Sequence, residues 1–98
     1  MPRFSANLSL LFTELPLLER FDAARECGFQ GVEIQFPYDT PAELIKSQID
    51  ITGLELVLIN VPAGDLMDGG EGLAAVPSKR RDFMDAVIKA TEYADILR

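Results

Sequence analysis

The run Leu54-Glu55-Leu56-Val57-Leu58-Ile59-Asn60 leaves this chain few folds. It shows none of the apolar/polar alternation that marks a strand with one wet face. Bounded by Gly53 on one side and by Asn60 and Pro62 on the other, it reads as a parallel strand covered on both faces. Parallel strands need long crossover connections, and the sequence supplies them. Two shorter strand-like runs precede this one, helical patterns separate all three, and a last helix follows. The order is β-α-β-α-β-α with strands roughly 25 residues apart, the rhythm of repeated right-handed βαβ units.

Phe4 to Leu11 is the first expected strand. Ala6, Leu8 and Leu10 share one face, with Ser5, Asn7, Ser9 and Leu11 on the other. Small polar side chains there fit a barrel interior or a cleft, with Asn7 and Ser9 near the strand's end; the alternative is that they hydrogen-bond neighbouring side chains. Thr13 is the expected N-cap of the first helix, with Glu14 and Pro16 in its first turn. Leu15, Leu18, Phe21 or Ala24, and Cys27 form its apolar stripe. Gly28 ends it in a left-handed cap. Cys27, on the apolar side, is expected to be a buried and inert thiol.

Val32 to Phe36 is the second strand, and it carries Glu33 in its middle. A carboxylate inside a strand is costly unless it is paired, hydrogen-bonded or wet. It either serves a structural ion pair or backbone cap, or it faces a ligand. Phe36-Pro37-Tyr38 breaks the strand at its exit, the place where α/β proteins bind ligands. Thr40-Pro41-Ala42-Glu43 then reads as a capping box with proline at the first helical position. Its helix carries Leu44, Ile45, Ile49 and Ile51 and stops near Gly53.

After the third strand, Pro62 to Pro77 holds four glycines and the acids Asp65, Asp68 and Glu71. A βα loop this long tends to be functional. Its acids do not follow the spacing of a calcium-binding EF-hand loop. Ser78 is the expected cap of the last helix, in which Phe83, Val87, Ala90, Ala94 and Leu97 keep helical spacing. Arg81, Asp85 and Lys89 stand four apart on its exposed side. The helix has no terminating glycine or proline, so the natural chain is expected to continue past Arg98.

Composition narrows the chemistry. A length of 98 residues makes one small domain at most. A net charge of −7 opposes a nucleic-acid surface, and the absence of histidine removes the usual neutral-pH base and metal ligand. There is no apolar run of membrane-spanning length and no signal-peptide core, and a single cysteine fits a reducing compartment. The expected location is the cytoplasm, with no membrane partner.

Two architectures share the βα rhythm, an open doubly wound sheet and a (β/α)₈ barrel. The first βα turn has neither G-x-G-x-x-G nor a Walker A pattern, which disfavours the nucleotide-binding sheet. The expected fold is therefore α/β, the first three βα units of a (β/α)₈ TIM barrel, incomplete as it stands, with residues 1–98 the N-terminal part of one domain. An open three-stranded sheet also leaves edges through which the segment would associate with itself.

The motifs resemble one family. Pro2-Arg3-Phe4-Ser5-Ala6-Asn7-Leu8-Ser9 and Leu11-Phe12-Thr13-Glu14 look like the opening of hydroxypyruvate isomerases and their 2-oxo-tetronate isomerase relatives. Gly28-Phe29, Val32-Glu33, Phe36-Pro37-Tyr38, Asn60, Pro62, Gly64-Asp65 and Gly72-Leu73-Ala74-Ala75-Val76-Pro77 continue the match. The resemblance implies a xylose-isomerase-like barrel that interconverts hydroxypyruvate and tartronate semialdehyde, a small hydroxy-keto acid substrate, and a divalent metal (Mg or Mn) in the complete family protein. It places the catalytic glutamates and metal ligands beyond Arg98, so that this segment alone holds no metal and is inactive. What the segment offers is a pocket wall: Asn7, Glu33 and Asn60 at strand positions, Phe12, Phe36 and Tyr38 as apolar cover, and Gly64-Asp65 in a lid-like loop. The alternatives are another sugar-phosphate or keto-acid isomerase or epimerase, an endonuclease-type relative on the same barrel, and a non-enzymatic self-associating fragment.

Overall fold

The computed structural model describes residues 2–98. Strands β1 (Ser5–Asn7), β2 (Gly31–Ile34) and β3 (Glu55–Ile59) form one parallel sheet in chain order. Helix α1 (Leu17–Glu26) connects the first pair, α2 (Ala42–Thr52) the second, and α3 (Arg80–Leu97) follows the last strand. Single 3₁₀ turns occupy Pro37–Asp39, Leu66–Asp68 and Pro77–Lys79.

Strand parity sorts the side chains. Ala6, Leu8, Val32, Ile34 and Leu54 face the helices and bury against Phe21 and Ala24 of α1, Ala42, Ile45 and Ile49 of α2, and Leu97 of α3. Asn7 and Glu33, which pair across β1 and β2, lie on the opposite face and are half-buried. Between β2 and β3 the register slips: Val32 pairs with Leu56 but Glu33 with Leu58, leaving Val57 as the extra residue of a bulge. Gly31 gives it room, since a Cβ there would lie 3.3 Å from Val57 Cγ1.

β3 departs from the expectation of burial on both faces. Leu54 is buried and Leu56 packs on the core, but Val57 and Leu58 are 49% and 46% exposed. The helices cover one face, and no layer from residues 2–98 covers the other. The apolar run is the sequence of a doubly covered strand with one cover supplied.

The first strand is shorter than expected. Beyond Asn7 the chain turns, with the Leu10 and Leu11 N–H groups both donating to the Asn7 carbonyl at 3.1 and 2.9 Å. Leu10 therefore faces solvent instead of continuing the Ala6–Leu8 face. Arg20 is half-buried and donates to the carbonyls of Leu8 and Leu15, each at 2.8 Å. It ties the β1 exit to the helix.

None of the three expected caps is used. α1 begins after Pro16, α2 after Pro41, and α3 after Lys79, and no side chain at those positions bonds the helix start. Thr13 and Ser78 therefore lie outside the cap positions. In α2 the reason is visible: Pro41 takes the cap position, and its carbonyl accepts from the Leu44 and Ile45 N–H groups. Thr40 sits one residue too early to close a capping box. The helix ends do follow the glycines. Gly28 (φ 91°) and Gly53 (φ 72°) take the left-handed conformation. At the α1 terminus the Gly28 N–H donates to Arg25 O and the Phe29 N–H to Ala24 O, a Schellman arrangement. Phe29 thereby carries the apolar stripe past the helix end. Cys27 falls outside that stripe and is exposed, not buried.

On α3, Phe83, Val87 and Ala90 are half-buried and Leu97 is buried, whereas Ala94 is exposed. Arg81, Asp85 and Lys89 form no ion pair with one another among the described residues, where the pairs are Arg3–Glu55, Lys46–Asp50 and Asp95–Arg98. Lys89 turns instead toward Tyr38, its Nζ 5.6 Å from the ring centroid. No helix of the described residues is long and apolar enough to cross a membrane.

Candidate functional site at the strand exits

Phe36, Tyr38 and Gly64 line one cleft of about 360 Å³, together with Asp39, Pro62, Ala63 and Met67. It opens between the segment leaving β2 and the segment leaving β3. Proline dictates the first wall: Pro37 ends the β2 ladder and starts the 3₁₀ turn that turns Tyr38 toward β3. There the Tyr38 hydroxyl donates to the Asn60 carbonyl, while the Asn60 N–H donates to Gln35 O at 2.9 Å. Asn60 thus joins the site through its backbone.

Asn7 and Glu33 sit beside each other at the ends of β1 and β2, outside the residues lining that cleft. Asn7 Oδ1 accepts from the Ser9 N–H at 2.9 Å, and Ser9 Oγ accepts from the Gln35 N–H at 2.9 Å. The partners of these small polar groups are backbone amides rather than neighbouring side chains. Glu33 is half-buried, and no cation lies within ion-pair distance of it among the described residues. Its main chain takes part in the sheet, with the Leu8 N–H donating to Glu33 O at 2.8 Å.

Phe12 and Asp65 serve local structure. Phe12 packs against the core and has a left-handed backbone (φ 60°), a strained state for a residue other than glycine. Asp65 turns its carboxylate onto its own loop, accepting from the Gly72 N–H at 3.1 Å. A Cβ on Gly70 would come within 2.1 Å of that carboxylate, so a side chain there would displace Asp65 from the Gly72 N–H. Beside it, Gly64 (φ 60°) lies against Leu73.

The sequence reading missed Tyr93. Its ring meets that of Tyr38 edge-on, with centroids 5.0 Å apart, and its hydroxyl donates to Thr40 O at 2.7 Å. The available signal was a tyrosine on the packed side of a helix, which needs a partner for its hydroxyl. Burial raises the pKa of both phenols; for Tyr38 the neighbouring Tyr93 adds to it, and for Tyr93 the nearby Glu43 and Asp39 do. Both groups hold their proton more tightly in the fold than in the unfolded chain. They contribute stability that is complete below the unfolded value of 10.0 and is lost as pH rises through the higher folded value. Melting temperature is therefore expected to fall above about pH 10, and less steeply in Tyr38→Phe and Tyr93→Phe. Equal slopes in all three proteins would contradict the assignment.

The divalent metal implied by the resemblance has no ligand set here. No three His, Cys, Asp or Glu side chains converge among the described residues, and the carboxylate of Asp65 is engaged by its loop.

Three successive parallel βα units with a cleft at their strand exits are the arrangement of a segment of a (β/α)₈ barrel. A crystal structure of an AP endonuclease, family 2, from Brucella melitensis superposes with a TM-score of 0.92 at 47% identity, covering 99% of this chain and 38% of that one. The chain is 47% identical over 97 residues to the hydroxypyruvate isomerase of Escherichia coli, covering 99% of this chain and 38% of that protein. It is 46% identical over 94 residues to the 2-oxo-tetronate isomerase of Haemophilus influenzae, covering 96% of this chain and 36% of that protein. No family model matches. Along essentially its whole length the chain is a segment of the hydroxypyruvate isomerase and 2-oxo-tetronate isomerase family, and it spans a little over a third of the relatives' length.

Proposed function

We propose that the full-length protein is a cytoplasmic isomerase of small hydroxy-keto acids that interconverts hydroxypyruvate and tartronate semialdehyde, or acts on 2-oxo-tetronate. Residues 2–98 contribute part of its pocket wall. The similarity to named isomerases along 96–99% of the chain carries this reading. The cleft of about 360 Å³ is roomy enough for a three- or four-carbon acid. Moving a carbonyl along such an acid requires taking a proton from the hydroxyl-bearing carbon beside it, returning one to the former carbonyl carbon, and passing the hydroxyl proton to the former carbonyl oxygen. That calls for one or two positioned carboxylates and an electrophile to stabilise the enediolate. Glu33 alone does not meet the requirement, so the segment by itself is inactive. The roles are Phe36 and Tyr38 as apolar cover lining the cleft, and Glu33 and Asn7, outside its lining, as polar groups that reach the ligand from the ends of β1 and β2.

The Brucella structure favours a second reading, an endonuclease on the same barrel. Against it stands the net charge of −7 in this chain, unsuited to a phosphate backbone, and the absence of histidine removes the usual metal ligand from this segment. Full-length protein assayed on hydroxypyruvate, 2-oxo-tetronate, sugar-phosphate epimers and abasic-site DNA is expected to turn over only the keto acids. Cleavage of the DNA without keto-acid turnover would replace this reading with the nuclease.

A further inference from the structure

We infer that Tyr93, on α3 and outside the cleft, is a positioning residue that sets the cleft's shape through Tyr38; this rests on the cleft being the ligand pocket, as proposed above. Tyr93 grips the segment leaving β2 at two points. Its hydroxyl donates to Thr40 O at 2.7 Å, just past the 3₁₀ turn. Its ring packs edge-on against Tyr38, with centroids 5.0 Å apart. One helical turn earlier, Lys89 stands 5.6 Å from the centroid of the Tyr38 ring. Tyr38 then carries the constraint across the cleft, because its hydroxyl bonds the Asn60 carbonyl at the β3 exit. The chain of contact runs from α3 to the β2 exit and on to the β3 exit, and both exits line the cleft.

The bonds matter more here than their number implies. The wall containing Tyr38 is a single 3₁₀ turn between two prolines, Pro37 and Pro41. Among the described residues its one backbone–backbone turn bond is Thr40 N–H to Pro37 O at 3.1 Å. The tyrosine hydroxyls are its attachments to the helix on one side and to β3 on the other. Phenols are protonated at neutral pH, so both hydroxyls are donors there.

The test uses the full-length protein with Tyr93→Phe, Tyr38→Phe and the double variant, which keep the rings and remove only the hydroxyls. Amide hydrogen exchange at residues 60–64, which Tyr93 does not bond, is expected to quicken in Tyr93→Phe. On the keto acid that the wild type turns over, KM is expected to rise about three- to tenfold with kcat within about twofold, the range of one hydrogen bond. The double variant is expected to show less than the summed effect, because both hydroxyls act through one segment. A lowered melting temperature with unchanged exchange at 60–64 and unchanged KM would make Tyr93 a packing residue and overturn the inference. If no keto acid is turned over, the functional reading fails, and exchange alone decides: faster exchange at 60–64 upholds the coupling, and unchanged exchange ends it.

Discussion

Glu33→Gln in the full-length protein is expected to lower kcat/KM on the hydroxy-keto acid by about 30- to 150-fold, the loss of one charge-assisted hydrogen bond of about 2–3 kcal/mol to the ligand. The stability change should stay within about 0.5 kcal/mol, as for a side chain without a structural partner. Two observations separate these outcomes. The carboxylate is half-buried on the sheet face opposite the helices, beside Asn7 at the β1 exit. No cation lies within ion-pair distance of it among the described residues, so removing its charge strands no partner. The amide keeps the shape of the side chain and tests the charge alone. Steady-state kinetics and a thermal melt read the two effects independently. Unchanged kinetics would remove Glu33 from the pocket; a melt lowered by several degrees with unchanged kinetics would assign it to structure.

The largest effect on stability is expected from Phe21→Ala, about 3–5 kcal/mol. Phe21 is wholly buried and heads the fully buried side chains by volume. It comes from the inner stripe of α1 and joins a core with Leu8, Val32 and Ile34 of the sheet side and Ile45 of α2. Truncation leaves a cavity between layers that the strands, held in register by their ladders, fill only in part. Against a typical total of about 5–15 kcal/mol, a loss of that size lowers soluble yield as well as melting temperature. Phe21→Leu should cost less, since most of the volume remains. A melting temperature within about 2 °C of wild type in Phe21→Ala would contradict this packing.

Much of this molecule was legible in its residues because the signals are local. The apolar strand-like runs and the helical stripes between them give the element order. Gly28 and Gly53 mark two helix ends because a left-handed cap favours a residue without Cβ. Strand parity places Ala6 and Leu8 on one face and Asn7 on the other, and the structure keeps that division. Phe36-Pro37-Tyr38 announces a break at a strand exit, and the cleft lies there.

Features that depend on partners far along the chain were not legible. Thr13, Thr40 and Ser78 have the right chemistry to cap helices, yet prolines and a 3₁₀ turn moved the helix starts past them. Arg20 reads as a wet charge until the carbonyls of Leu8 and Leu15 are brought beside it. Cys27 continues a helical stripe on paper, but the chain leaves the helix there and Phe29 fills the place. Asp65 and Gly64 share a loop, and only its closure decides that one bonds the loop and the other lines the cleft. Tyr93 and Tyr38 lie 55 residues apart in sequence and meet only because α3 packs back over the β2 exit. Periodicity specifies which face of an element is apolar; which distant groups then satisfy a hydroxyl, a carbonyl or a charge is settled only when those faces pack.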